Sequence, residues 1–560
     1  MVRRHLLWLL LLALCLPAGL EARQATGERT VVPLERNRGS EALLERMDAE
    51  EAQLFMELLT AIQRHALSSH GEDDLWEKAI EGLIRELNDP YATVLSPEEV
   101  AEFEEQSTGN YAGIGVQITE LNEVVTITAV FRNTPADEAG LQVGDRIVAV
   151  DGESAEGWSV SQASDRIRGT PGTTVEVTVR RDGISQPIPT SIERAEVHVP
   201  AVLAETIFDD VGYIVMDRVA RNSAAEVDSV LRTMDSARGI ILDLRRNPGG
   251  YLDESLNLAD LFLDRGAVLV RTKGRSPSRG EGLQEDAAHA RLRPRVSEAP
   301  IIVLVDRYSA SASEIVAGAL QDHDRALVLG ERTFGKGTVQ SVVPLPGDRL
   351  LRITSGEWFS PLGRSLNRER DRDGRLIEPD SIPVFTSHGG RKLLGGGGVA
   401  PDLELPRDTL TTAEQEFVSQ AVEAEVPLDL RIRETALAAT QAPREEGIVP
   451  DDLPVQAFQT LLETLRESGL PDDAVTDGAR EYLRWRLAVE FFQRLEPTDP
   501  ALLAQARRKG LEVRSQRDQT LATAVRLLKE SGSQAELFER VLQEPGAVAW
   551  TPGERTEARR

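Results

Sequence analysis

Apolar residues recur at helical spacing over residues 41–67, where Leu43, Leu44, Met47, Leu54, Leu58 and Ile62 share one face. A second such stretch spans residues 73–87 and stops at Asn88-Asp89-Pro90. A third opens at Ser96-Pro97-Glu98-Glu99: serine caps, proline takes the first helical position and Glu99 completes a capping box. Residues 41–108 therefore read as a helical N-terminal region. The pattern changes near Gly109. Short β-branched runs at 115–119, 124–130, 146–150 and 175–180 are parted by glycine turns, with one helical patch at 160–168. This predicts a β-rich module over residues 109–195. Over residues 196–404, apolar strands at 212–216, 240–244, 268–271, 301–305 and 326–329 are interspersed with helical stretches at 223–232, 252–262 and 311–321. Fully apolar strands among helices predict an α/β layer structure with a buried sheet. Residues 272–298 lack periodicity and read as a surface loop. Residues 405–560 are acidic and helical in pattern, and Tyr482, Trp485, Val489 and Phe492 stripe one face as in a bundle core.

The N-terminus adds a location. Arg3 and Arg4 precede an apolar run of eleven residues, 6–16, which Pro17, Ala18 and Gly19 break. A bilayer span needs about 20 residues, so residues 1–22 read as a cleaved export signal and residues 23–40 as a flexible leader. The expected location is periplasmic or extracellular, with membrane contact only through the signal segment if it stays uncleaved. Cys15 is the single cysteine, and its upstream residues Leu12-Ala13-Leu14 place a bulky leucine where a lipoprotein signal prefers a small residue, which speaks against lipidation.

Composition then narrows the chemistry. A single cysteine excludes an intrachain disulfide framework and any thiolate metal cage. Acidic residues number 92 against 64 basic ones, a net charge of −28, and such a field repels phosphate backbones, so nucleic acid is not an expected partner. Seven histidines are scattered without an HExxH pair. No metal and no cofactor is expected; hydroxyls, amines, carboxylates and backbone groups must carry the reaction.

Three stretches could do so. In Val305-Asp306-Arg307-Tyr308-Ser309-Ala310-Ser311-Ala312-Ser313-Glu314 an apolar strand gives way to a helix among three serines. Ser311 with Glu314 makes an ordinary capping box. It could equally set a nucleophile at a helix N-terminus, where unpaired N–H groups favour negative charge. In Gly330-Glu331-Arg332-Thr333-Phe334-Gly335-Lys336-Gly337-Thr338 the spacing imitates a phosphate loop. Gly337 stands where the Mg²⁺-binding hydroxyl belongs, and a strand pattern follows where a helix is needed. A lysine between glycines beside apolar strands can instead point inward. In Asn247-Pro248-Gly249-Gly250 a strand-to-helix turn could expose backbone N–H groups to a ligand. His323 lies too far along the helix from Ser311 to serve it as base, whereas an uncharged lysine can.

Together these stretches resemble the C-terminal processing peptidases, also called tail-specific proteases. The resemblance covers roughly residues 75–404 and includes Asn88-Asp89-Pro90-Tyr91, Ser96-Pro97-Glu98-Glu99 and Gly398-Val399-Ala400-Pro401-Asp402. It implies a crotonase-like α/β protease core (the ClpP/crotonase type) with an inserted PDZ domain and helical N- and C-terminal regions. It implies a serine–lysine endopeptidase in which Ser311 is nucleophile, Lys336 general base and Gln340 the group orienting the lysine. Only the family spacing selects Ser311 over Ser309 and Ser313. The oxyanion hole would come from Gly249, Gly250 and the N–H of Ala312. Gly113, Ile114, Gly115 and Val116 would grip the terminal carboxylate of a peptide, and Arg168 would couple docking to the core. Expected partners are protein or peptide substrates with apolar C-termini, and a second copy of the chain through the helical terminal regions. The rival reading is a non-catalytic PDZ scaffold on a degenerate core, which would need no lysine between the glycines.

Overall fold

The apolar strands at the centre of the chain form one sheet. Its spatial order is Val202–Ile207, Val211–Met216, Gly239–Asp243, Ile301–Val305, Leu327–Gly330 and Leu403–Glu404, antiparallel at the first pair and parallel thereafter. This computed structural model describes residues 50–545 and residue 547, apart from 122–123, 132, 182–183, 276–281, 297, 371–374, 378–380, 407–408 and 498. The expected signal, the leader and the first part of the first helix lie outside the described residues.

Every residue of Gly239–Asp243 and Ile301–Val305 is buried, as parallel strands covered on both faces must be. Helices Ser223–Leu231, Leu252–Asp260 and Ala312–Asp322 cover one face, packing Val227, Leu258, Val316 and Leu320 on Leu242, Val303 and Val328. The other face is covered by Gln519–Glu530, whose Leu521, Ala524, Leu527 and Leu528 join one buried cluster with Ile241, Ile302 and Leu304. The boundary expected at residue 404 thus cuts through a packing unit. Periodicity reveals that a helix buries a face, not which partner buries it.

A second sheet is built on the long strand Arg349–Phe359. It pairs antiparallel with Thr338–Leu345, Val268–Arg275 and Thr93–Leu95, and Val268–Arg275 pairs in turn with Leu283–His289. Two expectations are corrected here. The N-terminal region is not purely helical, because Thr93–Leu95 is stitched into this sheet. The stretch 272–298 is not all loop, because it holds most of a hairpin. Its outer strand, Leu-Gln-Glu-Asp-Ala-Ala-His, carries no fully buried residue and therefore no apolar alternation.

The β-rich module has the strand order Val116–Leu121, Val124–Val130, Arg146–Val150, Thr174–Arg180, Ile188–Glu193, closed by helix Val160–Ile167 over Ile127, Ile147, Val175 and Val177. The chain enters and leaves it through one antiparallel ribbon, Asn110–Gly113 with Ala195–His198. In the C-terminal bundle, Tyr482 and Phe492 of helix Asp477–Arg494 are buried, and Trp485 and Val489 are half-buried. At the other end, helix Glu50–His65 buries no residue and leaves Leu54 and Leu58 exposed.

Candidate active site

Helix Ala312–Asp322 starts where strand Ile301–Val305 has ended, and Ser311 is the residue between loop and helix. Its backbone has a positive φ, 54°, with ψ −114°, a state that costs a non-glycine residue of order 1–3 kcal/mol and clusters at functional sites. The three serines of the segment part company here. Ser309 is fully buried, and its hydroxyl donates to Leu244 O at 2.8 Å. Ser313 is fully buried and donates to Asn247 O at 3.1 Å. Ser311 keeps partial exposure and faces a cavity of about 860 Å³.

The same cavity is lined by Gly249, Gly250, Ala312, Lys336 and Gln340. The glycine turn lies directly against the serine: a Cβ on Gly249 would sit 2.5 Å from Ala310 O and 2.8 Å from Ala312 N. Its φ of +94° is a second reason for glycine there. Turn and serine segment are sewn together by Arg246 N to Asp306 Oδ1, Ala310 N to Asn247 O and the two buried serine hydroxyls. The N–H of Gly249 itself donates to Asn247 Oδ1 at 2.9 Å.

Lys336 lies in the loop between Leu327–Gly330 and Thr338–Leu345. It is half-buried, and its Nζ stands 4.8 Å from the centre of the Tyr91 ring. Burial, aided by the Arg352 guanidinium, pulls its pKa from 10.5 down to about 8, against the pull of Glu314 and Asp89. The amine is therefore neutral far more often near physiological pH than that of a free lysine, although the protonated form still predominates. Gln340 Nε2 donates to Thr338 Oγ1 at 2.8 Å and Thr354 Oγ1 at 3.4 Å, which leaves its amide oxygen as the end able to accept a hydrogen bond from an amine.

Sequence reasoning treated Glu314 only as a cap. Fully buried, it accepts from Ser311 N at 2.8 Å, Thr333 Oγ1 at 2.5 Å, Gly335 N at 2.7 Å and Lys336 N at 2.8 Å. One carboxylate thus ties the serine segment to the lysine loop. Burial pushes its pKa up, and those donors work against the rise. Tyr91, the aromatic residue that follows Asn88-Asp89-Pro90, is a second residue of the site to which the sequence assigns no role.

Of the expected loop Gly113, Ile114, Gly115 and Val116, Gly113 ends strand Asn110–Gly113 and Val116 begins strand Val116–Leu121, so that only Ile114 and Gly115 lie between strands. Ile114 is buried, and a Cβ on Gly115 would meet Thr134 at 2.3 Å. The Tyr111 phenol has its pKa raised by burial and is opposed by Arg168 and by the N–H groups of Gly115 and Val116. Arg168 stands 5.1 Å from the Tyr111 ring centre and holds Glu105 with both Nη atoms. Glu105 and Tyr111 line the serine cavity; Arg168 and the loop 113–116 do not. His323 ends its helix with Nε2 on Val268 O at 2.7 Å.

The profile of peptidase family S41 matches residues 210–382, and that of the PDZ domain matches residues 126–181. The chain is 33% identical over 336 residues to the carboxy-terminal-processing protease of Bartonella bacilliformis, covering 59% of this chain and 74% of that one. It is 34% identical over 309 residues to a probable CtpA-like serine protease of Staphylococcus haemolyticus, covering 55% of this chain and 60% of that one. Among solved structures it is similar to a photosystem II D1 C-terminal processing protease, with 26% identity, 65% of this chain and 95% of that chain covered, and a TM-score of 0.33.

Proposed function

The chain belongs to peptidase family S41, and from that premise we propose an exported serine endopeptidase that hydrolyses protein substrates near their C-termini by a serine–lysine mechanism. One observation carries the reading: Ser311, alone among the three serines of its segment in facing the cavity, shares it with a lysine whose pKa is lowered to about 8.

In this mechanism Lys336 Nζ takes the Ser311 proton as Oγ attacks the scissile carbonyl, and the resulting ammonium returns it to the leaving amine. Water, deprotonated by the same amine, then releases the acyl group. The oxyanion falls to the Ala312 N–H at the helix start and to the glycine turn, where Gly250 is the donor since Gly249 serves Asn247. Gln340 orients the lysine through its amide oxygen. Parallel strands, a glycine turn and a serine at a helix N-terminus support a crotonase-like core.

The PDZ domain would take a substrate C-terminus as an added strand, its carboxylate on the 113–116 loop, with Arg168 linking docking to the cavity through Glu105. The apolar run at residues 6–16 supports export, and the exposed Leu54, Leu58, Leu83 and Leu87 support a homodimer through the helical termini. The test is cleavage of an unfolded protein with an apolar C-terminus, as free acid and as amide. Faster cleavage of the acid, lost in S311A, is expected. Equal rates for acid and amide would remove the docking role, and unaltered cleavage by S311A would remove the nucleophile.

A further inference from the structure

The turn that faces Ser311 is anchored at its root by a residue far along the chain. Arg245 places its guanidinium between two carboxylates. Toward Asp243, Nη2 reaches Oδ2 at 2.6 Å and Nε reaches Oδ1 at 2.9 Å. Toward Asp518, Nη1 reaches Oδ1 at 2.9 Å and Nη2 reaches Oδ2 at 2.8 Å. The Asp243 and Asp518 side chains are 4% and 8% exposed, so this is a buried, bidentate cluster rather than a surface pair. Tyr213 Oη donates to Asp243 Oδ2 at 2.7 Å, which helps one guanidinium serve two carboxylates. Burial alone would lower the Arg245 pKa; Asp243 and Asp518 together carry it well above the ordinary value.

From Arg245 the chain runs straight into the site. Arg246 is left-handed at φ 61°, and Asn247 receives Ala310 N and the Ser313 hydroxyl. Gly249 then stands in contact with Ser311 and Ala312. The far anchor belongs to the C-terminal helical region: Asp518 also caps helix Gln519–Glu530 by accepting from Leu521 N at 2.9 Å. That helix covers the open face of the central sheet, and a Cβ on Gly239 would meet Leu528 at 2.7 Å.

Resting on the reading of Ser311 and the glycine turn given above, we propose that the C-terminal helical region completes the catalytic unit, with Asp518 a positioning residue that holds the Asn247–Gly250 turn in register through Arg245. Misplacing a catalytic group by about 1 Å can cost on the order of a hundredfold in rate, and a turn that leaves its strand in a left-handed conformation needs such an anchor.

Asp518→Asn is the discriminating change. Asparagine caps a helix as well as aspartate does, and losing this charge leaves Arg245 and Asp243 a balanced pair, so the fold is kept while one arm of the clamp is weakened. For hydrolysis of a C-terminally free peptide, D518N should lower kcat about tenfold with KM within about twofold, a change of roughly 1.4 kcal/mol. It should slow fluorophosphonate labelling of Ser311 by the same factor, and D518E should recover part of both. L528A weakens the same helix without touching Arg245, and should lower Tm while leaving kcat unchanged. Wild-type kcat in D518N, or an equal loss of kcat in L528A at the same loss of Tm, would overturn the proposal. Turnover that persists unchanged in S311A would overturn the reading of the site, and the proposal with it.

Discussion

Ser311 and Lys336 each sit in a state that the fold must sustain at a cost. The positive φ of Ser311 is one that glycine adopts freely. Ser311→Gly should therefore be inactive yet more stable than Ser311→Ala by about 1 kcal/mol, a difference that denaturant melts resolve. For Lys336 the sign follows from proton counting. The unfolded amine titrates near 10.5 and the folded one near 8. Between those values the unfolded chain holds a proton that the folded chain lacks, so stability rises with pH across that window. Below it the full burial cost stands, about 3 kcal/mol; above it the cost is gone. Lys336→Met should be inactive, more stable than wild type at pH 7, and equal to it above pH 10.5. A mutant less stable at pH 7, with no convergence at high pH, would make Lys336 a charged structural residue. The inward turn of Lys336 was legible from the glycines around it. The choice of Ser311 over Ser309 and Ser313 came from the family spacing and not from the chemistry of the segment, because only the partners Leu244 and Asn247, some 65 residues away in sequence, bury the other two.

Elements are what bring those residues together, and the close approach of the Asn247–Gly250 turn to the helix start is the tightest of their contacts. Gly249→Ala would force a Cβ to within 2.5 Å of Ala310 O at a positive φ. Either the turn or Ser311 must then move, and kcat should fall by about a hundredfold in a chain whose circular dichroism stays native. Wild-type turnover would mean that the turn does not help form the site. Most elements were legible, because a buried parallel strand such as Ile301–Val305 is apolar at every position and a capped helix such as Pro97–Thr108 announces its first turn. Several strands escaped, Val202–Ile207 and the long Arg349–Phe359 among them, and for two others the surroundings supply the order. Thr93–Leu95 is three residues long and pairs with Arg349–Phe359, and Leu283–His289 lies at a sheet edge without a buried face. Glu314 escaped in another way. Its cap was readable, but its bonds to Gly335 and Lys336 depend on a loop that arrives from across the sheet.

On the scale of the whole molecule, the protease core and the C-terminal helices share one buried sheet, which composition and periodicity had divided at residue 404. A chain ended after Glu404 would expose the sheet face that Leu521, Leu527 and Leu528 cover, each worth about 2–5 kcal/mol on truncation to alanine. It should be recovered as aggregate in size-exclusion chromatography; a soluble, active fragment would refute the shared core. The order of the regions was legible, from the β-rich module between its ribbon strands to the acidic helices at the end. Which helix covers which face was not, since an amphipathic pattern is silent about its partner. The central claim is that Ser311 is made nucleophilic by the buried amine of Lys336, and intact-mass analysis after fluorophosphonate treatment between pH 6 and pH 10 tests it most directly. The account predicts a single adduct, mapped to Ser311, whose rate rises with an apparent pKa near 8 and is lost in Lys336→Met. An adduct on Ser309 or Ser313, or labelling of Ser311 at the same rate in Lys336→Met, would contradict it.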